Sequence, residues 1–204
     1  MIRSIVGIDP GQNGGIVALE WDGQEAYPRF ALRMPRTSTR DAGPGLPPID
    51  LSRLLEVFQG FPAAVFAIEE LRAMPVFGSK GARGAGTTAT SKSNFALGRA
   101  YGQIEALLTA TAGRTQDRAH HAIVRVSPQR WQAALLPRAA RRAGQSTKAA
   151  SIQRALQLFP SLTSLVHWKG NTPIPDGIAD AALIALYTYR LHFRNITNDS
   201  LSTL

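Results

Sequence analysis

Three β-branched or aliphatic runs are packed into the first 33 residues, separated only by short turns, and this pattern constrains the fold most. The first is 2–8 (IRSIVGI), ended by Asp9-Pro10-Gly11. Gly14-Gly15 leads into 16–21, Asp22-Gly23 marks a turn, and a third run spans 27–33. Links this short permit only antiparallel neighbours, so the chain opens as a meander. The apolar run 63–68 ends at Glu69-Glu70, and 123–126 (IVRV) is a further strand. Helical patterns separate and follow these later strands. Asp50 caps a helix to Gln59 with Gly60 as its stop, and 94–111 carries Leu97, Tyr101, Ile104, Leu107 and Leu108 on one stripe. Ser127-Pro128 opens a short helix through Trp131 and Leu135, 147–159 is another, and Pro175-Asp176 opens the last, ending near His192. A meander followed by alternating strands and helices predicts an α/β fold with a mixed sheet and helices on its faces.

Several classes are excluded or disfavoured by composition. There is no cysteine among the 204 residues, so disulfides, thiolate metal sites and cysteine nucleophiles are ruled out. No apolar run reaches the ~18–20 residues of a membrane span, and the N-terminal residues carry no cleavable signal pattern, so neither a membrane nor secretion is expected. Lys and Arg number 23 against 14 Asp and Glu, a net charge of +9 that suits a polyanionic partner, nucleic acid first. The basic residues cluster in two segments. Residues 73–93 hold Lys80, Arg83 and Lys92 among glycines and read as a flexible loop; 137–144 (PRAARRAG) holds Arg138, Arg141 and Arg142.

Carboxylates are scarce in such a chain, and four stand in chemically useful places. Asp9 and Glu69 each end an apolar strand, where mixed sheets build ligand sites. Asp176 and Asp180 lie four apart on the last helix, so they share a face and repel unless a cation sits between them. Oxygen donors without cysteine favour a hard cation such as Mg²⁺ or Mn²⁺. With a basic surface, the substrate expected for such a cluster is a phosphodiester.

VGIDPGQNGGI (6–16), FAIEE (66–70) and DGIADAALIA (176–185) occur in that order. This set resembles the RuvC family of Holliday-junction resolvases in the RNase H-like superfamily, over residues 2–189. The resemblance implies an RNase H-like fold, a five-stranded mixed β-sheet flanked by α-helices, as a nuclease domain over 1–191 with a flexible tail at 192–204. It implies a homodimer, with the 94–111 helix as contact, that cuts four-way junction DNA to 5′-phosphate and 3′-hydroxyl nicks. Asp9, Glu69, Asp176 and Asp180 fall on the family's metal-binding catalytic acids, for two Mg²⁺ (or Mn²⁺) ions per site, and Lys148 in GQSTKAASIQ falls on the basic residue that assists catalysis in relatives. Arg72, Met74, Phe77, Lys80, Arg83 and Lys92 fall on the junction-reading loop, and Arg138, Arg141 and Arg142 suit backbone contacts. A spacing of four between the last two acids is similar to phage-encoded and organellar members and carries no expectation of a helicase partner. The expected setting is the cytoplasm, of a cell or of a phage host.

Other readings stay open at this point. One is a related nuclease acting on other branched DNA or RNA–DNA hybrids; another is a catalytically silent junction-binding protein. An actin-like ATPase also opens with a strand, an acid and glycines. Trp131 and Trp168 read as packing anchors, and His120 and His121 as surface residues.

Overall fold

The computed structural model describes residues 4–11, 13–38, 48–71, 91–112, 123–137 and 145–199; for 91–93, 112 and 192–199 the description covers the backbone only. Five strands form one sheet: β1 (Ser4–Asp9), β2 (Gly15–Trp21), β3 (Ala26–Arg33), β4 (Ala64–Glu69) and β5 (Ile123–Val126), in the order β3-β2-β1-β4-β5. The first three make the expected antiparallel meander, whereas β1–β4 and β4–β5 are parallel. The parallel pairings follow from the intervening helices, because a crossover with a helix returns the chain in the same direction. The sheet is therefore mixed and flanked by helices, as the sequence predicts.

Alternation along the strands sorts side chains onto two faces. Val6, Ile8, Ile16, Ala18, Phe66 and Ile68 point to one side. There they meet α1 (Leu51–Gln59) through Leu54 and Phe58, and α2 (Ser91–Ala112) through Ile104 and Leu108. Asp50 caps α1 by accepting from the Arg53 N–H at 3.0 Å. Ile5, Val17, Leu19, Val65 and Ala67 point to the other side. That side is covered by α3 (Pro128–Leu135), α4 (Thr147–Leu158), the short α5 (Leu162–Leu165) and the long α6 (Asp176–Asp199).

The seat of α6 depends on glycine. A Cβ on Gly7 of β1 would lie 2.1 Å from the Ala181 carbonyl oxygen and 2.7 Å from the Ala185 nitrogen, so the helix backbone rests directly on the strand. At its N-terminal end Gly177 bridges Gly14, and a Cβ on Gly177 would lie 2.3 Å from the Asn13 carbonyl oxygen. Ala179, Ala181, Ala182 and Ala185 of the same helix are fully buried, which keeps the approach close along its length.

Two helix ends and one short helix differ from the sequence reading. Helix α2 starts at Ser91, so 91–93 belong to the helix rather than to the preceding loop. Helix α6 continues to Asp199, past the expected end near His192 and past the 191/192 boundary, since no Gly or Pro follows Gly177 to stop it. The one-turn helix α5 was not foreseen, because four residues carry no period.

Candidate active site

Asp9 and Glu69 are the last residues of two parallel neighbours, β1 and β4, whose preceding residues Ile8 and Ile68 are register partners. Adjacent strands lie ~4.8 Å apart, so the sheet sets the two carboxyls side by side. Both share the parity of Ile5, Gly7, Val65 and Ala67, which directs them to the α6 face. Asp176 opens α6, where a negative charge is favoured by the helix dipole. Asp180 follows one turn later. The Gly14–Gly177 contact is what brings this helix start against the turn after Asp9.

Each acid has a protein partner or is conspicuously without one. Asp9 Oδ1 accepts from the Gly11 N–H at 2.9 Å. Glu69 Oε1 accepts from the Trp131 indole N–H at 2.8 Å. Asp176 Oδ2 lies 2.6 Å from Lys148 Nζ, a lysine whose side chain is still 72 % exposed. Asp180 Oδ1 is buried with no hydrogen bond. The Ser151 hydroxyl is near enough to favour the Asp180 carboxylate, yet its own Oγ is also buried without a formed hydrogen bond.

The electrostatics confirm that the four groups share one neighbourhood. Burial pushes Asp9 up to about 6, aided by Asp176; the Gly11 N–H and Lys148 pull it back. Burial raises Glu69 to about 7 against the Trp131 hydrogen bond, with Asp9 adding to the rise. Asp180 also rises to about 7, first through burial and then through the charges of Asp9, Glu69 and Asp176. Lys148 is raised as well, which for a lysine favours the charged form, through its contact with Asp176 and the charges of Asp180 and Asp9.

Oxygen donors alone, an orphaned buried carboxylate oxygen and mutual repulsion together fit a hard divalent cation. As the side chains stand, no three acidic or imidazole groups among the described residues form a ready-made cage.

Two residues at this site were missed by sequence reasoning. Trp131, read as a packing anchor, is indeed fully buried, but its N–H also orients Glu69. A buried indole needs an acceptor, and the helix after a strand parallel to β4 starts beside the end of β4; that was the available signal. Ser151 stands three residues after Lys148, on the same face of α4, opposite the Asp176–Asp180 pair. Of the expected nucleic-acid contacts, Lys92 lies in the first turn of α2, while Arg72, Met74, Phe77, Lys80, Arg83, Arg138, Arg141 and Arg142 lie outside the described residues, as do His120 and His121.

No family model and no curated protein matches the chain. Solved structures do. The structure of T. thermophilus RuvC in complex with Holliday junction substrate aligns with a TM-score of 0.56 at 17 % identity, covering 93 % of this chain and 96 % of that one. A Thermus thermophilus RuvC structure aligns with a TM-score of 0.54 at 17 % identity, covering 94 % and 96 %. The fold is RuvC-like across nearly its whole length.

Proposed function

We propose that this chain is a divalent-metal-dependent endonuclease that resolves four-way DNA junctions. The observation that carries the reading is the convergence of Asp9, Glu69, Asp176 and Asp180 on the α6 face of a RuvC-like sheet, with three of the carboxyls raised by burial and mutual repulsion. A net charge of +9 supports a polyanionic substrate. The spacing of four between Asp176 and Asp180 supports a phage- or organellar-type member. Among the described residues no helix is long and apolar enough to cross a membrane.

Asp9, Glu69, Asp176 and Asp180 would hold Mg²⁺ or Mn²⁺, two ions in this reading, which when bound activate water and stabilise charge on the phosphodiester. The chain's own groups prepare that site. The Gly11 N–H and the Trp131 indole fix one oxygen each of Asp9 and Glu69, so these acids present their other oxygens without first losing rotamer freedom. Burial makes the site dry enough for its charges to act strongly. Lys148, mostly exposed and protonated, can exchange Asp176 for a phosphate oxygen as the strand docks, offsetting the extra negative charge of the reacting phosphoryl group. Overall, water's oxygen bonds to phosphorus, the P–O3′ bond breaks, and the 3′-oxygen takes a proton, leaving a 5′-phosphate and a 3′-hydroxyl.

A two-fold junction needs two symmetric cuts and so two copies of this site, which supports a homodimer. Phe95 on α2, 72 % exposed, supports that helix as the contact. The test is cleavage of a synthetic mobile junction, mapped at nucleotide resolution with Mg²⁺ and with Mn²⁺, beside linear duplex, flap and RNA–DNA hybrid substrates. Symmetric nicks in the junction are expected, with Asp9→Asn retaining binding and losing at least ~10³-fold in rate, the scale of one essential catalytic group. Preferential cleavage of another substrate, or near-normal rates for Asp9→Asn, would overturn the assignment.

A further inference from the structure

Arg33 ends β3 and is the register partner of Gly15, which in turn pairs with Asp9. It shares the parity of Ala31, which packs on the core beneath α6, so its side chain leaves the sheet on the same face as Asp9. Two interstrand steps separate the Arg33 and Asp9 backbones by about 10 Å.

The Arg33 guanidinium carbon lies 4.8 Å from the centre of the Trp168 ring. Trp168 is half-buried in the connection between α5 and α6, the segment that delivers Asp176. Gly170 permits the ring its place, since a Cβ there would lie 2.1 Å from the indole. The exposed side of Arg33 has no carboxylate: among the described residues, no salt bridge reaches it. A second guanidinium is near, because Arg36 is depressed by its own burial and by the charge of Arg33. Like charges gathered beside an acidic centre, with one guanidinium held over an aromatic ring, are arranged for an anion that accepts two parallel hydrogen bonds.

We propose that Arg33, lying over Trp168 and flanked by Arg36, is a docking subsite for a DNA backbone phosphate of the strand held at the carboxylates, on the β3 side of them. The inference rests on the nuclease reading and adds the strand's path, running across the β1, β2 and β3 ends towards the sheet edge. Contact with the ring pre-orders the guanidinium, so less side-chain freedom is lost when the phosphate arrives.

The experiment measures junction binding by fluorescence anisotropy as a function of salt, in the cleavage-deficient Asp9→Asn protein. Arg33→Ala is expected to weaken binding about 10-fold and to make the log–log salt slope shallower by about 1. Arg33→Lys should restore the slope but not the full affinity, because the charge returns without the fork. Trp168→Ala should weaken binding while keeping the slope. Arg33 is exposed, so the melting temperature of Arg33→Ala should match its parent. Unchanged affinity and slope in Arg33→Ala, with the Asp9→Asn parent still binding junctions, would overturn the subsite alone. A parent that binds no DNA would overturn the nuclease reading itself.

Discussion

Asp180→Asn should make the metal-free protein more stable, by an amount that grows as pH rises from 4 to 7. In the wild type this carboxyl is raised from 3.8 to about 7, so the folded state holds a proton that the unfolded state releases above about pH 4. Stability linked to this group is present below its unfolded pKa and is lost as pH climbs through its folded one. The window is therefore pH 4 to 7, and the penalty is complete by pH 8. A rise of about three pH units corresponds to about 4 kcal/mol at 1.36 kcal/mol per unit. Asparagine keeps the shape and removes the charge, so the variant should recover a large part of that figure. For a chain of this size, 4 kcal/mol is roughly 8–16 °C in melting temperature. Thermal and urea melts in EDTA at pH 4 and pH 8 measure it. The variant should lie well above wild type at pH 8 and close to it at pH 4. Added Mg²⁺ should then stabilise the wild type more than the variant, because the cation offsets the repulsion that asparagine has already removed. An Asp180→Asn protein that melts at or below wild type at pH 8 in EDTA would refute the reasoning.

Trp131→Phe keeps the buried ring and deletes the N–H that Glu69 accepts, so the Glu69 pKa should rise further and the acidic limb of the cleavage pH profile should move to higher pH; an unmoved limb means the bond does not matter to catalysis. Gly7→Ala places a Cβ 2.1 Å from a main-chain oxygen of α6, and denaturant melts should show a loss of about 3 kcal/mol or more, or no folded protein. Lys148→Met should lower the single-turnover cleavage rate about 10²-fold and leave the fold unchanged, since the lysine side chain is 72 % exposed; a rate within twofold of wild type removes it from the chemistry.

Much of this protein is legible from sequence because the relevant signals are local. The β-branched runs and the Asp9-Pro10-Gly11, Gly14-Gly15 and Asp22-Gly23 turns specify the meander, since short turns leave one pairing geometry. Asp50 and Ser127-Pro128 mark helix starts through groups the helix itself leaves unsatisfied. The four acids stand out because a basic chain has few, and because two of them end apolar strands. The far end of α6 was misplaced for a local reason as well: 193–199 is polar, and polarity alone neither stops nor sustains a helix.

What the sequence by itself determined is the set of elements and the acids proposed to hold a cation, since backbone propensity, turn chemistry and ligand type are properties of near neighbours. Which side chains meet was settled only by the folded arrangement. The partner of Glu69 comes from Trp131, 62 positions away, and the hydroxyl nearest the unpartnered Asp180 oxygen comes from Ser151 on a separate helix. The contact of Arg33 with Trp168 joins a strand end to a loop far along the chain. No period or spacing encodes such pairs. They arise because α6 lies on Gly7 and, through its own Gly177, on Gly14 without intervening side chains, and that close seat fixes where every group on its face must stand.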